Sequence, residues 1–351
     1  MIEQFKEQIR AAAAQQRPLR IRGGGTKDWY GGTLAGEILD TRGHSGIVDY
    51  EPTELVIAAR CGTPLSEIEA VLAQQNQMLA FEPPHFGDDV TSCATLGGAI
   101  AAGLSGPRRA NSGGVRDFVL GAQLLDGKGE LLNFGGQVMK NVAGYDVSRL
   151  LAGSLGTLGL ITELSVKVLP RAFAETTLRF ETSEIEAIRM LNVWGGQPLP
   201  VSGSCWHQGS LMLRLSGAQA AVDAAIKSLG GQVVPDADGF WNDLREQRHA
   251  FFAGDAPLWR LSVPSTTSAI VLSGEQLIEW GGAQRWLRAA SNDAETIRSA
   301  VRAVGGHATL FRGGDKTAGV FQPLAPAVAR IHERLKTAFD PANIFNPGRL
   351  F

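Results

Sequence analysis

Glycine-rich segments, and not reactive side chains, suggest the chemistry of this sequence. The stretch from Ala94 to Gly106 contains no acid or base, but it includes Gly97, Gly98 and Gly103. A second cluster, Arg22-Gly23-Gly24-Gly25-Thr26, lies upstream. Because glycine has no side chain, its main-chain amide can come close to a phosphate and act as an anion ligand. Two such loops predict a long ligand with a pyrophosphate in its middle.

Two other interpretations of these glycines are weaker. A single glycine cluster could simply form a tight turn, but a third cluster, Gly153–Gly159, makes a shared ligand the better prediction. A nicotinamide-binding Gly-x-Gly-x-x-Gly motif should open a helix. Here Gly23-Gly24-Gly25 is soon followed by Asp28, Trp29 and Gly31-Gly32, which do not continue a helix.

Composition narrows the possible functions. The 351 residues carry a formal net charge of −2, which gives no reason to expect nucleic acid as a partner. Cys61, Cys93 and Cys205 are too few and too scattered for a disulfide framework or a metal site. The N-terminal residues lack a signal-peptide pattern, and no apolar run approaches about 20 residues. We therefore expect a cytoplasmic protein that reaches a membrane only through a partner.

The loops are positioned by elements that the hydrophobic pattern predicts. Apolar residues at helical spacing predict a helix over residues 2–14, and Leu19–Ile21 should be a strand that enters the first glycine loop. Residues 122–125 and 130–134 should form a hairpin around an Asp-Gly-Lys-Gly turn. A long strand at 160–169 stops at Pro170, where we place the first domain boundary. The later alternation of strands and helices predicts an α+β unit with an antiparallel sheet.

Six motifs, taken in order, resemble a known family. They are Arg22-Gly-Gly-Gly-Thr26, Thr95-Leu-Gly-Gly98, Gly114-Val-Arg-Asp-Phe118, Lys140-Asn-Val-Ala-Gly-Tyr-Asp146, Gly156-Thr-Leu-Gly-Leu-Ile-Thr162 and Asn346-Pro-Gly348. Together they resemble the FAD-binding fold of the vanillyl-alcohol oxidase (PCMH) type. Within that superfamily the chain is most similar to the family of flavin-binding E subunits of bacterial glycolate oxidases, nearly from end to end.

This resemblance implies both a fold and a function. The fold class would be α+β, with a two-lobed FAD-binding domain and an α+β cap domain. The domains would be residues 1–170 (lobes about 1–82 and 83–170), the cap 171–310, and a C-terminal segment 311–351 that returns to the FAD domain. The implied complex oxidises glycolate to glyoxylate, and D-lactate as well. Its other members would be a second flavin subunit and an iron–sulfur subunit, and the assembly would be peripheral at the inner membrane.

The resemblance also assigns the cofactor residues. Gly23, Gly24, Gly25 and Thr26 would present amides to one side of the FAD pyrophosphate. The other side would be closed by the second loop, through Thr95, Gly97, Gly98, Gly103 and Ser105. Gly156, Gly159 and Ile161 would line the adenine or ribose end. Many relatives carry a histidine in the first loop for a covalent flavin bond, whereas this chain has Thr26-Lys27-Asp28, so we expect non-covalent FAD.

No catalytic residue can be assigned from the sequence. Active relatives carry a Gly-His…His segment that binds a metal and positions the hydroxy acid, whereas His307 has no second histidine before His332. One imidazole does not make a metal site, so we expect no metal here and substrate oxidation on the partner flavin subunit. Two alternatives stay open: a flavin-free structural subunit and a self-sufficient FAD-dependent 2-hydroxy-acid dehydrogenase. Arg108 and Arg109 could attract a substrate carboxylate, although adjacent arginines more often form a solvated edge.

Overall fold

The chain is divided into two compact units. The computed structural model describes residues 1–87, 94–136, 146–290 and 293–350. Unit 1 comprises Met1–Leu104, Gly114–Pro170 and Pro323–Phe351, and unit 2 comprises Ser105–Gly113 and Arg171–Gln322. Cys93 and most of the fourth motif, Lys140–Tyr145, lie outside the described residues.

The described helices are, in chain order, α1 (Ile2–Ala14), α2 (Leu65–Gln74), α3 (Leu96–Ala102), α4 (Arg109–Ser112), α5 (Val115–Phe118), α6 (Val147–Leu150), α7 (Glu184–Gly195), α8 (Gln219–Leu229), α9 (Asp238–Arg245), α10 (Ala294–Ala303) and α11 (Pro326–Phe339). The described strands are β1 (Leu19–Arg22), β2 (Glu37–Asp40), β3 (Ile47–Glu51), β4 (Val56–Arg60), β5 (Gln77–Met78), β6 (Val119–Leu125), β7 (Leu131–Gly135), β8 (Leu160–Lys167), β9 (Leu169–Pro170), β10 (Ala174–Glu181), β11 (Val201–His207), β12 (Ser210–Gly217), β13 (Gln232–Val234), β14 (Leu258–Ser262), β15 (Gly274–Glu279), β16 (Gln284–Ala289) and β17 (His307–Arg312).

Unit 1 is built on two principal sheets. β1 and β2 form a parallel pair, and a five-stranded antiparallel sheet has the order β3-β4-β8-β6-β7. The predicted hairpin is β6–β7, and its turn is fixed by Asp126, whose Oδ1 accepts hydrogen bonds from Lys128 N at 2.9 Å and Glu130 N at 2.8 Å. Gly129 has a φ of +72°, which favours glycine at this turn position.

Two apolar clusters stabilise unit 1. On α2, Leu65, Ile68 and Leu72 are fully buried at helical spacing, and they pack with residues of β4, β6, β8 and α3. The second cluster joins α1 to β1 and β2 and to the C-terminal residues Ile344 and Phe345. Burial of such side chains stabilises by about 1.5–3 kcal/mol each. The C-terminal segment is therefore part of the core beside β1.

Unit 2 has an eight-stranded sheet in the order β13-β10-β12-β11-β15-β16-β14-β17, in which every pair is antiparallel. One apolar cluster joins β10 and β12 to α7 and α8, and another joins β14, β16 and β17 to α10. The predicted α+β unit with an antiparallel sheet is confirmed. Within the described ranges, no helix combines the length and the apolar composition needed to cross a membrane.

The units differ in three respects from the expected domains. Residues 311–322 belong to unit 2 and not to the returning segment, because β17 continues to Arg312 and pairs with β14. Residues 105–113 also belong to unit 2. The expected lobe boundary near residue 82 does not separate two sheets, because β4 pairs with β8 in one sheet, with Val56 opposite Lys167.

Candidate functional site

A cleft in unit 1 lies where the first glycine loop, α3 and the C-terminal segment meet. One part of it is open to solvent and contains about 570 Å³ of space between and beside the protein atoms, solvent included. Its lining residues are Ile21, Arg22, Gly23, Gly24, Gly25, Thr26, Lys27, Asp28, Leu34, Thr95, Gly98, Ala101, Ala102, Leu155, Asn346 and Arg349.

A second part of about 400 Å³ adjoins the first. Its lining residues are Ile21, Gly23, Thr41, Cys61, Gly97, Gly98, Ala101, Leu155, Gly156, Gly159, Leu160, Ile161 and Asn346. Several residues, Gly23, Gly98 and Asn346 among them, line both parts. The cleft is therefore elongated, as a long ligand requires.

The cleft brings together ten of the residues predicted from the sequence. These are Gly23, Gly24, Gly25, Thr26, Thr95, Gly97, Gly98, Gly156, Gly159 and Ile161.

Gly103 and Ser105 do not line either part. Gly103 ends α3 in the left-handed conformation, with a φ of +68°, and a Cβ there would lie 2.7 Å from Gly153 Cα. Glycine is therefore required at this position for the helix end and its packing. Ser105 belongs to unit 2.

The first glycine loop presents main-chain donors to the cleft. On β1, Leu19 N donates to Ile344 O at 2.7 Å and Ile21 N donates to Asn346 Oδ1 at 2.8 Å. Gly23 N is the next amide on that side of the chain, since alternate residues of a strand face the same way. Within the described part of the chain, the amides of Gly23, Gly25 and Thr26 donate no hydrogen bond. These three donors are available to an anion.

The loop is also closely packed. A Cβ on Gly23 would lie 2.3 Å from Thr95 Oγ1, and a Cβ on Gly25 would lie 2.5 Å from Arg22 Nη2. A side chain at either position would displace the wall of the cleft. The two loops are thus in contact, as a ligand shared between them requires.

Two amides of the second loop, predicted to face the pyrophosphate, instead donate hydrogen bonds within the protein. Gly97 N donates to Cys61 O at 2.8 Å, and Gly98 N is capped by Thr95 Oγ1 at 3.3 Å. A Cβ on Gly97 would lie 2.7 Å from Cys61 Cβ. Gly97 therefore serves close packing of α3 on Cys61, and the donors free for a ligand come from the first loop.

Cations outnumber acids in the first part of the cleft. Arg22, Lys27 and Arg349 line it together with one carboxylate, Asp28. Asp28 Oδ2 accepts hydrogen bonds from Arg20 Nη2 and, at 3.2 Å, from Arg22 Nε. Arg349 is buried, and desolvation lowers the pKa of its guanidinium from the usual range, although Asp28 opposes that effect. This surplus of positive charge suits a diphosphate.

The wall formed by the third glycine cluster also requires glycine. Gly156 has a φ of +71°, and a Cβ there would lie 2.7 Å from Asn346 Nδ2. At Gly159 a Cβ would lie 2.6 Å from Leu125 O. The main chain therefore lies close to the Asn346 side chain at Gly156 and to the Leu125 main chain at Gly159, where the sequence predicts the adenine or ribose end.

Cleft residues that sequence reasoning missed include Lys27, Cys61, Asn346 and Arg349. Asn346 belongs to a motif identified in the sequence. Its position beside the glycine loops depends on contacts between segments that are far apart in the sequence, so it was not predicted. Burial raises the pKa of the Cys61 thiol to about 12, so this sulfur stays protonated and is a poor nucleophile.

The lining residues fit a ligand that carries a diphosphate. Main-chain donors, surplus positive charge and glycine-lined walls occur together, whereas no histidine is among the described lining residues. The arrangement can hold an elongated anionic cofactor, and the redox chemistry would come from that cofactor.

His307, Arg108 and Arg109, three further candidates, lie in unit 2. His307 is the first residue of β17 and is exposed. Local desolvation, and to a smaller extent the positive charge of Arg260, lowers the pKa of its imidazole. Among the described residues, no three His, Cys, Asp or Glu side chains come together as a metal site. Arg108 is not a solvated edge: it is buried, and its Nη2 donates to Glu175 Oε2 at 2.7 Å.

Comparison with known proteins agrees with this geometry. Residues 1–135 match the FAD binding domain family. The chain is 50% identical to glycolate oxidase subunit GlcE of Escherichia coli (strain K12), over 98% of this chain and 96% of that protein. It is 26% identical to a D-lactate dehydrogenase of Archaeoglobus fulgidus, over 99% of this chain and 89% of that protein.

A solved structure shares the fold. Alkyldihydroxyacetonephosphate synthase aligns with a TM-score of 0.67 and 15% identity, over 98% of this chain and 75% of that one. At this identity the likeness concerns the fold alone. The predicted FAD-binding fold of the vanillyl-alcohol oxidase type is confirmed. The high identity over nearly the whole length shows that the chain belongs to the glycolate oxidase subunit GlcE family of FAD-binding oxidoreductases.

Proposed function

We propose that this chain is the FAD-carrying E subunit of a complex that oxidises glycolate, and also D-lactate, to the corresponding 2-oxo acid. The observation that carries the proposal is the elongated cleft, in which the amides of Gly23, Gly25 and Thr26 lie beside Lys27 and Arg349. The 50% identity to a protein named as a glycolate oxidase subunit supports the substrate class. When bound, FAD supplies two-electron redox chemistry and can pass electrons on.

The proposed role of the chain is to bind and orient the cofactor. The amides of Gly23, Gly25 and Thr26 would donate to the diphosphate oxygens, and Lys27 and Arg349 would offset the charge of those oxygens. Gly156, Gly159 and Ile161 would contact the nucleoside end. The binding would be non-covalent, since the described cleft offers no histidine and its Cys61 thiol has a raised pKa.

Substrate oxidation would take place on another subunit. His307 is exposed on unit 2, and among the described residues no metal cluster includes it, which supports a site of oxidation elsewhere. We propose a second flavin subunit as the site of oxidation and an iron–sulfur subunit as the electron acceptor. In this proposal the assembly is cytoplasmic and peripheral at the inner membrane.

One experiment separates this proposal from its alternatives. The tagged full-length chain is purified alone and with its co-purifying partners, and flavin is released by denaturation and counted per chain. Glycolate is then added anaerobically while flavin absorbance is recorded. We expect releasable FAD on the isolated chain, no bleaching by glycolate, and rapid bleaching in the assembly.

Other results would identify an alternative. Absence of flavin from the isolated chain would indicate a flavin-free structural subunit. Bleaching of the isolated chain by glycolate would indicate a self-sufficient dehydrogenase. A partner preparation without an iron–sulfur spectrum would contradict the proposed composition of the complex.

A further inference from the structure

Asn346 joins two walls of the cleft through one buried side chain. Its Oδ1 accepts a hydrogen bond from Ile21 N at 2.8 Å, and its Nδ2 donates to Leu155 O at 2.6 Å. Ile21 lies just before the first glycine loop and Leu155 just before Gly156. The residue is 6% exposed and lines both parts of the cleft. Its hydrogen bonds therefore connect the segments that flank the whole cleft.

The main chain at Asn346 explains why an amide side chain is needed. The C-terminal segment runs along β1, with Leu19 N donating to Ile344 O at 2.7 Å and Asn346 N donating to Leu19 O at 2.9 Å. Asn346 then adopts a φ of +41°, a left-handed conformation that asparagine tolerates better than most residues. Its side-chain oxygen continues the pairing to Ile21 N, and the ladder ends before Gly23.

The following turn holds the far end of the first glycine loop. Asn346 O accepts from Arg349 N at 3.3 Å, and Gly348 has a φ of +72°, as in a type II turn with Pro347 at its second position. Arg349 Nη1 donates to Asp28 O at 2.9 Å, and Gly32 N donates to Arg349 O at 2.9 Å. The first glycine loop is thus held at both ends by the C-terminal segment.

We propose that Asn346 is a positioning residue for the cofactor, which sets the spacing between the first glycine loop and the Gly156 wall. By ending the pairing along β1 at Ile21, it leaves Gly23 N to the ligand. This inference rests on the proposed binding of FAD. It goes further, because it makes the affinity for FAD depend on a residue more than three hundred positions from the loop. Asn346 need not touch the cofactor for this role.

The test compares Asn346→Ala with a matched control. Asn192 in α7 also donates to two main-chain carbonyls, Ile188 O at 2.8 Å and Ser265 O at 2.9 Å, but it lies in unit 2. For the full-length chain, FAD Kd is measured by fluorescence titration, and amide hydrogen exchange is measured for residues 19–26 and 153–159. We expect Asn346→Ala to raise the Kd at least about tenfold and to accelerate exchange in both segments. Asn192→Ala should do neither.

A conservative variant keeps the test decisive if Asn346→Ala does not fold. Asn346→Asp retains an acceptor for Ile21 N but loses the donor to Leu155 O and adds a negative charge to the cleft, so exchange should accelerate at 153–159 more than at 19–26, and the FAD Kd should rise at least as much as in Asn346→Ala. Equal Kd values for wild type and both Asn346 variants would overturn the inference, even if exchange rose. A wild-type chain that binds no FAD would instead overturn the proposed function, and unchanged exchange in the variants would then refute the positioning role as well.

Discussion

Two features require glycine at residue 23: the close approach of Thr95, and the main-chain amide that must stay available to an anion. Its Cβ position lies 2.3 Å from Thr95 Oγ1, and its N–H is one of the donors that the described structure leaves for an anion. Thr95 cannot move freely, because its Oγ1 caps α3 at Gly98 N. A methyl group at residue 23 must therefore displace the donor loop and not Thr95.

We predict that Gly23→Ala raises the FAD Kd by at least about tenfold, the cost expected for one or two charge-assisted hydrogen bonds. Isothermal titration of the flavin-depleted chain measures this value. Gly239→Ala is the control, since Gly239 is exposed on α9 with no atom within 4 Å of its Cβ position. Equal Kd values for the two variants would contradict the role of the loop.

Single residues also show where the sequence was informative. The glycine clusters identified the cleft because glycine is recognisable wherever main chain must approach a ligand. The use of individual amides was not predictable, because Gly97 N is satisfied by Cys61 O, a contact between distant segments. The burial of Arg108 was missed for the same reason, since its partner Glu175 lies 67 positions away.

At the scale of elements, α11 fixes the C-terminal segment against unit 1. Lys336 Nζ donates to Asp340 Oδ2 at 2.5 Å, Thr157 O at 2.7 Å and Phe345 O at 3.0 Å. Asp340 is buried, and its oxygens also accept from Ile344 N and Phe345 N. Burial lowers the pKa of the Lys336 ammonium, while Asp340 opposes that shift.

We predict that Asp340→Asn lowers the free energy of unfolding by about 3 kcal/mol, because it leaves the largely buried Lys336 ammonium without its fully buried carboxylate partner. Lys336→Met in the same chain should recover part of that loss, with a coupling energy of about 1–3 kcal/mol. Urea denaturation of the two single variants and the double variant measures the coupling. Strictly additive effects of the two substitutions on the free energy of unfolding would contradict the role of the pair. As a control, Glu186→Gln removes an exposed ion pair with Arg189 and should leave stability nearly unchanged.

The positions of helices and strands were predicted better than the pairing between strands. The helix at 2–14 and the β6–β7 hairpin follow from local spacing and turn residues, and the structure has α1 at Ile2–Ala14. The pairing of β4 with β8 joins segments about 100 positions apart, and no local pattern specifies it. The extension of β17 to Arg312 likewise depends on β14, which is why the returning segment begins later than expected.

At the scale of the whole molecule, unit 2 contains an ion-pair network that makes its stability depend on pH. Glu175 accepts hydrogen bonds from Arg108 and Ser216, and Arg214 Nε lies 3.8 Å from its Oε1. Burial alone would raise the pKa of Glu175, but Arg214, Ser216 and Arg108 outweigh it and hold the pKa below 4.5. The carboxylate therefore stabilises the folded state above about pH 4.5, and this contribution is lost as the pH falls through its lowered pKa.

We predict that Glu175→Gln destabilises the protein by about 2 kcal/mol at pH 7, between the values for exposed and buried pairs. The difference in stability between the variant and wild type should begin to narrow as the pH falls below about 4.5, where Glu175 of the unfolded chain takes up a proton, and should be lost below the lowered pKa of the folded state. Tryptophan fluorescence during urea denaturation reports on this unit, since every tryptophan except Trp29 lies within 171–322. A difference that stayed constant down to acid pH would contradict the assignment.

The most direct test of the cleft is whether its affinity depends on the diphosphate. The flavin-depleted, full-length chain is titrated with FAD and with riboflavin, which lacks the diphosphate and the adenosine, and both titrations are repeated with Gly23→Ala, which changes the diphosphate loop and leaves the Gly156 wall intact. We predict that wild type binds FAD at least about 100-fold more tightly than riboflavin and that Gly23→Ala narrows this ratio by at least about tenfold. Equal affinities of wild type for the two flavins would contradict binding through the main-chain amides of the first glycine loop.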